Sequence, residues 1–398
     1  MEKSAFNLSS GFKLEKRMRY ALMLAAPLWI VSGMASATSE VEVTVPVQVF
    51  SDVGYFVRTT GTATNTSNTD STAKETAGRD GAFIGTLTLF ATPQIGDHVR
   101  SLLETVVEYN TAGAPVLTVE RAQIGYAYND RATVWLGRFH TPYGYFNTAY
   151  HHGAQLTPSV TLPTLIRAAM PAHTIGVWMN GWTRIGSGKM TYDVYSGNAT
   201  RVVGTITPTP PASSGTIDPN HAAEDNKNKN LGFNIGYNGG DALEGLRVGV
   251  HAFTGKFTEC TTTPCPVTLT STRVNMYGTY AHYDKNDVEA TVELYHYKNK
   301  DVGATMDHGS SAGFVQVGYM VIPDVIPYVR IEKTKYNQAD TYFKTLSKGR
   351  SYRMDVLGVR YNLNTNAALK GEISRTNTDN VADLSPAKEL RLQYAIRF

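Results

Sequence analysis

Four of the ten histidines, His140, His151, His152 and His173, lie in one stretch of the chain, together with Arg167 and the polar groups of Tyr143, Tyr145 and Asn147. Imidazoles move protons or ligate metals near neutrality, and a guanidinium holds anions. The spacing argues against a metal: His151 and His152 are adjacent, and neither the i,i+4 helical nor the alternate-strand pattern that aims two imidazoles at one ion is present. Hydrolysis is disfavoured too, because no Gly-x-Ser-x-Gly elbow or paired-carboxylate motif accompanies these residues. No enzymatic activity, cofactor or metal is therefore expected, and the histidines read as solvated or hydrogen-bonded loop groups. What remains is charge. From His140 to Ala172 there is no Asp or Glu, so the stretch is neutral to basic. It would favour anions, and more so on acidification, when histidine with a reference pKa of about 6.5 becomes cationic.

The elements that must hold this stretch are strands. The last ten residues alternate polar and apolar without a break: Leu390, Leu392, Tyr394, Ile396 and Phe398 share one face, and Glu389, Arg391, Gln393 and Arg397 share the other. A strand with one wet and one greasy face that ends on an aromatic fits the wall of a barrel with lipid outside and water inside. The same period-two test finds further segments at 47–59, 81–91, 98–110, 115–127, 131–139, 173–182, 188–198, 230–238, 246–257, 271–283, 287–298, 311–321, 326–337, 351–362 and 366–376, which with 387–398 makes sixteen. Connections alternate between short Asn-, Asp-, Gly- and Pro-rich turns and longer loops, apart from a short one at 111–114. Tyr126, Tyr128, Tyr237, Tyr283, Tyr319, Tyr361 and Phe398 fall before the short turns or at the terminus, as an aromatic girdle would. The expected fold is all-β: a transmembrane antiparallel up-and-down β-barrel of about sixteen strands, whose lumen is a water-filled channel.

Alternation also nominates the wall of that lumen. Arg121, Arg247, Arg273, Arg330, Lys370 and Arg391 are the basic candidates; Glu332 joins Glu104, Glu108, Asp193, Glu289 and Glu293 as acids on wet faces. The mixture implies a modest anion preference. Facing stays open for Arg138, Arg353 and Arg360.

Composition and address agree. A mean hydropathy of −0.24 rules out a helical membrane protein, and a net charge of +3 with no basic run gives no support to a nucleic-acid partner. Lys13, Lys16, Arg17 and Arg19 precede an apolar run from Tyr20 to Met34, followed by Ala35-Ser36-Ala37, which together read as a signal peptide over 1–37 ahead of a barrel domain over 38–398. The stretch before Met18 is long for such a signal, which favours translation from Met18. Cys260 and Cys265, in an exported chain, are expected to form a small loop disulfide.

The segment Gly137-Arg-Phe-His-Thr-Pro-Tyr-Gly-Tyr-Phe-Asn147-Thr-Ala-Tyr-His-His-Gly153 resembles proteobacterial outer-membrane porins, in which Gly-Arg-x-x-Thr-Pro-x-Gly segments occur where a strand gives way to the third extracellular loop. With the signal, the strand count and Phe398, the resemblance covers the whole mature chain. It implies an inward-folded third loop, here 140–172, forming a pore constriction from His140, Tyr143, Tyr145, Asn147, His151, His152 and Arg167. It also implies homotrimers, outer-membrane lipid and lipopolysaccharide as surroundings, and small hydrophilic solutes and inorganic ions as cargo. The Phe-ended strand, with Leu392, Tyr394, Ile396 and Phe398, would be the signal read by the barrel assembly machinery. The chain departs from the cation-preferring pattern, since its third loop has no acid. A substrate-specific channel, for phosphate or another anion, and a scaffold barrel around a partner protein are the alternatives; the second is disfavoured by the narrow lumen of sixteen strands.

Overall fold

The computed structural model describes residues 42–60, 80–109, 114–150, 153–164, 169–198, 201–204, 215–217, 228–259, 271–347, 350–379 and 387–398. By Cα packing the chain divides after Val43. The expected signal segment, the cysteines Cys260 and Cys265, and the loop residues His151, His152 and Arg167 lie outside the described residues.

Sixteen long strands follow one another: β1 (Val47–Thr60), β2 (Asp80–Ala91), β3 (Val99–Tyr109), β4 (Pro115–Asn129), β5 (Ala132–His140), β6 (His173–Ile185), β7 (Gly188–Asn198), β8 (Lys229–Asn238), β9 (Leu246–Glu259), β10 (Ser271–Lys285), β11 (Val288–Asp301), β12 (His308–Tyr319), β13 (Val325–Lys335), β14 (Tyr352–Asn364), β15 (Ala367–Thr378) and β16 (Ala387–Arg397). Each pairs antiparallel with the next. The sheet closes because β1 also pairs antiparallel with β16, from Phe50 opposite Arg397 to Thr60 opposite Lys388. Val49 and Phe398 exchange two backbone hydrogen bonds at that seam, 2.7 and 3.0 Å. A closed sheet has no edge left to aggregate.

The alternation read in the sequence becomes two chemically different faces. On β8, Leu231, Phe233 and Ile235 are exposed while Asn230 and Asn234 are buried. On β16, Leu390, Leu392 and Tyr394 are exposed while Glu389 and Gln393 are buried. Exposed apolar side chains recur on the outer face round the wall, a surface no water-soluble monomer of this size carries and one matched to a hydrocarbon solvent. Tyr126, Tyr128, Tyr319, Tyr361 and Phe398 are exposed near the turn end. The two-residue turn between β10 and β11 has Asn286 and Asp287 at φ of 55° and 64°. Two positive-φ residues make the hairpin turn whose twist suits antiparallel strands, and Asn and Asp tolerate that conformation better than other non-glycine residues.

Among the described residues, short α-helices lie in the connections, α1 (Phe146–Ala149) between β5 and β6 and α2 (Thr341–Ser347) between β13 and β14. The second was not anticipated. Its Tyr342, Phe343 and Leu346, spaced along one helical face, join Tyr143, Phe146, Met170, Phe253, Met276 and Tyr297 in a buried aromatic cluster. Phe343 stacks on Tyr336 with ring centroids 4.1 Å apart, and the Tyr342 hydroxyl donates to Ala169 O at 2.6 Å.

Candidate functional site: the loop between β5 and β6 and the wall it grips

The loop leaves β5 and returns to β6 through a closed neck. Thr141 N–H donates to Ala172 O at 2.9 Å, and the buried Asn147 amide donates to both Thr141 O (2.8 Å) and Ala172 O (3.2 Å). Beyond the neck, Gly144 has φ of +62°, and a Cβ there would meet the Glu293 carboxylate at 2.5 Å and the Tyr295 hydroxyl at 2.6 Å. Glycine is what the close approach requires. It lets Glu293 on β11 accept the N–H groups of Tyr145 (2.8 Å) and Phe146 (2.6 Å) at the start of α1, where a carboxylate meets donors without intrahelical partners. Gly144 N–H itself donates to His251 Nδ1 at 2.9 Å. Tyr145 stacks on His282 with centroids 4.1 Å apart and accepts from Arg247 at 3.0 Å, while Tyr150 donates to Glu289 at 2.9 Å.

Residues 153–164 are held by β13, β14 and β15. Arg330 donates to Ser159 Oγ (2.9 Å), Thr161 O (2.7 Å) and Thr161 Oγ1 (2.7 Å), and pairs with Glu332 at 2.9 Å. Lys370 donates to Ala154 O, to Thr157 Oγ1 at 2.9 Å and to Ser159 O at 3.3 Å. Arg360 reaches Thr157 O at 2.9 Å. Glu372 accepts from Val160 N–H (3.0 Å), Thr161 N–H (3.2 Å), the Thr161 hydroxyl and Tyr328 (2.9 Å), and Glu332 accepts from Thr164 N–H at 2.9 Å. Wall carboxylates thus satisfy the loop's donors and wall cations its acceptors. Charge-assisted bonds of this kind are about twice as strong as neutral ones.

This placement corrects several expectations about the water-lined surface. Arg330 and Glu332 are 0 % exposed and Lys370 is 3 % exposed, because the loop covers them. Tyr143 and Asn147 are buried as well: the first packs in the aromatic cluster and the second clips the neck, so neither side chain lines water. His140 is buried, 3.7 Å from Glu104, and its ring lies 4.9 Å from that of His173, which sits 2.8 Å from Glu120. Arg273 lies on the outer face. Its cross-strand neighbours are Lys256 and Lys300, whereas the inner face of β10 carries the buried Thr272, Val274, Met276 and His282. A one-residue misreading of phase at a strand end moves a side chain to the other face.

Three wall cations keep access. Arg247 is exposed. Arg121 pairs with Glu104 at side-chain exposures of 20 % and 2 %, and Arg391 pairs with Glu389 at 18 % and 9 %, so in each pair the arginine is the member nearer open space. Arg121 reaches Glu104 beside a bulge, where Glu104 and Thr105 oppose Arg121 and Val119 and leave Glu120 unmatched. The facings left open by alternation are settled for two arginines: Arg353 is exposed and pairs with Asp355 at 2.9 Å, and Arg360 turns to the loop. Arg138 is buried and donates to Glu120 O at 2.8 Å. The anchors Glu293 and Glu372 had no signature beyond a polar residue on a wet face, and for Arg360 alternation left even the face open.

No protein-family model and no curated protein matches the chain in sequence. Among solved structures, the outer membrane channel DcaP of Acinetobacter baumannii aligns at a TM-score of 0.57 and 10 % identity, covering 89 % of this chain and 97 % of that one. An anion-selective porin from Comamonas acidovorans aligns at 0.56 and 13 %, covering 90 % and 100 %. The trimer form of Vibrio cholerae OmpT aligns at 0.54 and 11 %, covering 89 % and 99 %. The chain has the fold of these porins: a closed sixteen-stranded antiparallel barrel.

Proposed function

We propose that the chain, exported by its signal peptide, forms a passive water-filled channel in the outer membrane of a Gram-negative bacterium. Small hydrophilic solutes and ions would pass, with a weak preference for anions. The observation that carries this reading is the loop between β5 and β6, bound to buried charged groups on β11, β13 and β15, on the face opposite the exposed apolar belt. A barrel whose inner wall is polar, and whose loop is fastened across it, is built to narrow an aqueous path rather than to catalyse.

Position rather than count supports the anion preference. The loop carries no acid, the buried carboxylates Glu293, Glu332 and Glu372 are occupied by its N–H groups, and Arg121, Arg247 and Arg391 keep access on the wall, while the accessible acids Asp193, Asp284 and Glu289 hold the preference to a weak one. That one structural relative is described as an anion-selective porin agrees with this. A homotrimer is the proposed assembly, as in the trimer form of one relative, and β16 with Leu392, Tyr394, Ile396 and Phe398 is the proposed assembly signal. Planar-bilayer recordings test the reading. Unitary conductance and an anion-signed reversal potential in a salt gradient are expected, with Arg247→Gln moving that potential toward zero. Cation selectivity of the wild type would refute the preference, and absence of unitary steps would refute the channel.

A further inference from the structure

The chain has four tryptophans, Trp29 in the expected signal segment and Trp135, Trp178 and Trp182 in the barrel. Those three face the lumen. Trp135 on β5 and Trp178 and Trp182 on β6 are half-buried, while Val134, Leu136, Val177 and Met179 beside them are exposed on the outer face. In membrane barrels tryptophan gathers in outward girdles at the lipid interface, so inward indoles on two adjacent strands need another cause. Packing is part of it for two of them. Trp135 lies over Gly125, where a Cβ would come to 2.5 Å from the ring; it stacks on Trp178 with centroids 5.9 Å apart and donates to Asn180 Oδ1 at 3.1 Å. Trp178 packs on Phe139 at the edge of the aromatic cluster and donates to Asp193 Oδ1 at 3.0 Å. Trp182, about 13 Å further toward the turn end, meets bases instead. Lys189 Nζ and the Arg131 guanidinium stand 4.7 and 5.7 Å from its ring centroid, and Arg184 faces Lys189 directly across β6 and β7. These bases add to the accessible wall cations named above: all three are exposed and, among the described residues, none pairs with a carboxylate. Asn238 alone separates Lys189 from Arg247 in the same cross-strand row.

We infer that this stretch of inner wall, from Trp178 to the turn end, binds small aromatic carboxylates, with the ring against the indoles and the carboxylate held by Arg184 and Lys189. The chemistry follows from what the wall presents. An inorganic anion would use the bases and leave the indoles idle. A sugar needs acceptors as well as donors, but the bases only donate, and Asn180 Oδ1 and Asp193 Oδ1 already accept indole N–H groups. A ring bearing a carboxylate uses both features: its face stacks on aromatic side chains, and its oxygens take charge-assisted bonds from the exposed cations. The inference rests on the channel reading above and names one class of solute for it.

The test uses the full mature protein in a neutral detergent, with folding checked by heat-modifiable gel mobility and conductance recorded on the same preparations. Because the barrel's tryptophans all lie on this wall, their fluorescence reads occupancy directly. Benzoate is titrated against cyclohexanecarboxylate, which keeps the charge without the aromatic face, benzyl alcohol, which keeps the ring without the charge, and maltotriose. Benzoate is expected to bind about two- to tenfold more tightly than cyclohexanecarboxylate, the share that ring stacking supplies, and more tightly than benzyl alcohol. Trp182→Leu should lose that preference for the aromatic acid, and Trp182→Phe should keep it. The double variant Arg184→Gln, Lys189→Gln should bind benzoate about three- to thirtyfold more weakly, as two exposed ion pairs allow, and Lys285→Gln should match the wild type. Equal affinity for benzoate and cyclohexanecarboxylate would overturn the inference, as would equal affinity for benzoate and benzyl alcohol, or unchanged benzoate affinity in the double variant. A response to maltotriose but not to benzoate would assign the wall to sugars and overturn it too. Such failures with unitary conductance intact leave the channel reading standing, whereas absence of unitary steps in the wild type strikes that reading instead.

Discussion

Replacing Glu372 by alanine should loosen the middle of the loop without unfolding the barrel. Its carboxylate accepts from Val160 N–H, Thr161 N–H, the Thr161 hydroxyl and the Tyr328 hydroxyl, and the residue is 2 % exposed. Truncation deprives Thr161 N–H of its acceptor, leaves Val160 N–H only the Tyr328 hydroxyl at 3.3 Å, and removes a buried negative charge beside Lys370 and Arg330. Hydrogen bonds to a charged group contribute about 1.5–3 kcal/mol each, and breaking a buried charged network costs about 3–5 kcal/mol. The lower end applies if water enters to replace the lost acceptor. A loss of about 3–5 kcal/mol in docking multiplies the detached fraction roughly 10²- to 10³-fold or more. Single-channel recording is the assay: the alanine variant should show larger mean conductance, extra substates and faster gating noise, while heat-modifiable mobility stays that of a folded barrel. Glu372→Gln keeps an acceptor oxygen and should lie between the two. A quiet alanine channel of wild-type conductance would falsify the claim that this carboxylate fastens the loop.

Gly144→Ala should be more disruptive than its size implies, because the new methyl meets Glu293 and Tyr295 inside contact distance at a positive φ. A penalty of about 1–3 kcal/mol should appear as a reduced urea midpoint for protection of the loop against protease, with Gly144→Ser no better. Asp340 gives a pH prediction at the loop end. It accepts from Asn299 and from Tyr342 N–H at the start of α2, and burial pushes its carboxyl from the ordinary 3.8 up to about 6. A raised acid means the docked state binds the proton more tightly than the detached one. Docking of α2 should therefore be strongest below pH ~4 and weaken as pH rises through 6, by at most about 3 kcal/mol. Hydrogen exchange of α2 amides should be slower at pH 5 than at pH 7.5 after correction for intrinsic rates, and Asp340→Asn should erase the difference; an unchanged difference in that variant would assign the effect elsewhere.

The barrel was legible in the sequence because its physics is local. A strand with lipid on one side and water on the other writes itself as alternation, and all sixteen segments were found within a few residues of their observed ends. Phase was less secure where strands run past the apolar belt: at Arg273 the outer face turns polar while Val274 and Met276 on the inner face pack in the aromatic cluster, so alternation points the wrong way. The loop shows the other limit. Its Gly144 and its lack of acids could be read directly, but the anchoring partners lie far along the chain, and nothing local marks Glu293 or Glu372 as holding backbone N–H groups. The same holds for α2, whose apolar face looked like loop until the aromatic cluster gave it something to pack against.

The anchoring of the loop also sets an order of events. Ala154 and Lys370 are 216 positions apart and Val160 and Glu372 are 212 apart, so this part of the loop can dock only after strands synthesised long after it are in place. Contacts of such separation form late, because the chain between them has to be ordered first. A barrel stalled before β15 would hold the loop on its β9 to β14 contacts alone, without the bonds of Lys370 and Glu372 to residues 154–161. In the channel proposed above, closure of the β16 seam and fastening of the loop would then be nearly the same step, so that a barrel completed before insertion would not leak.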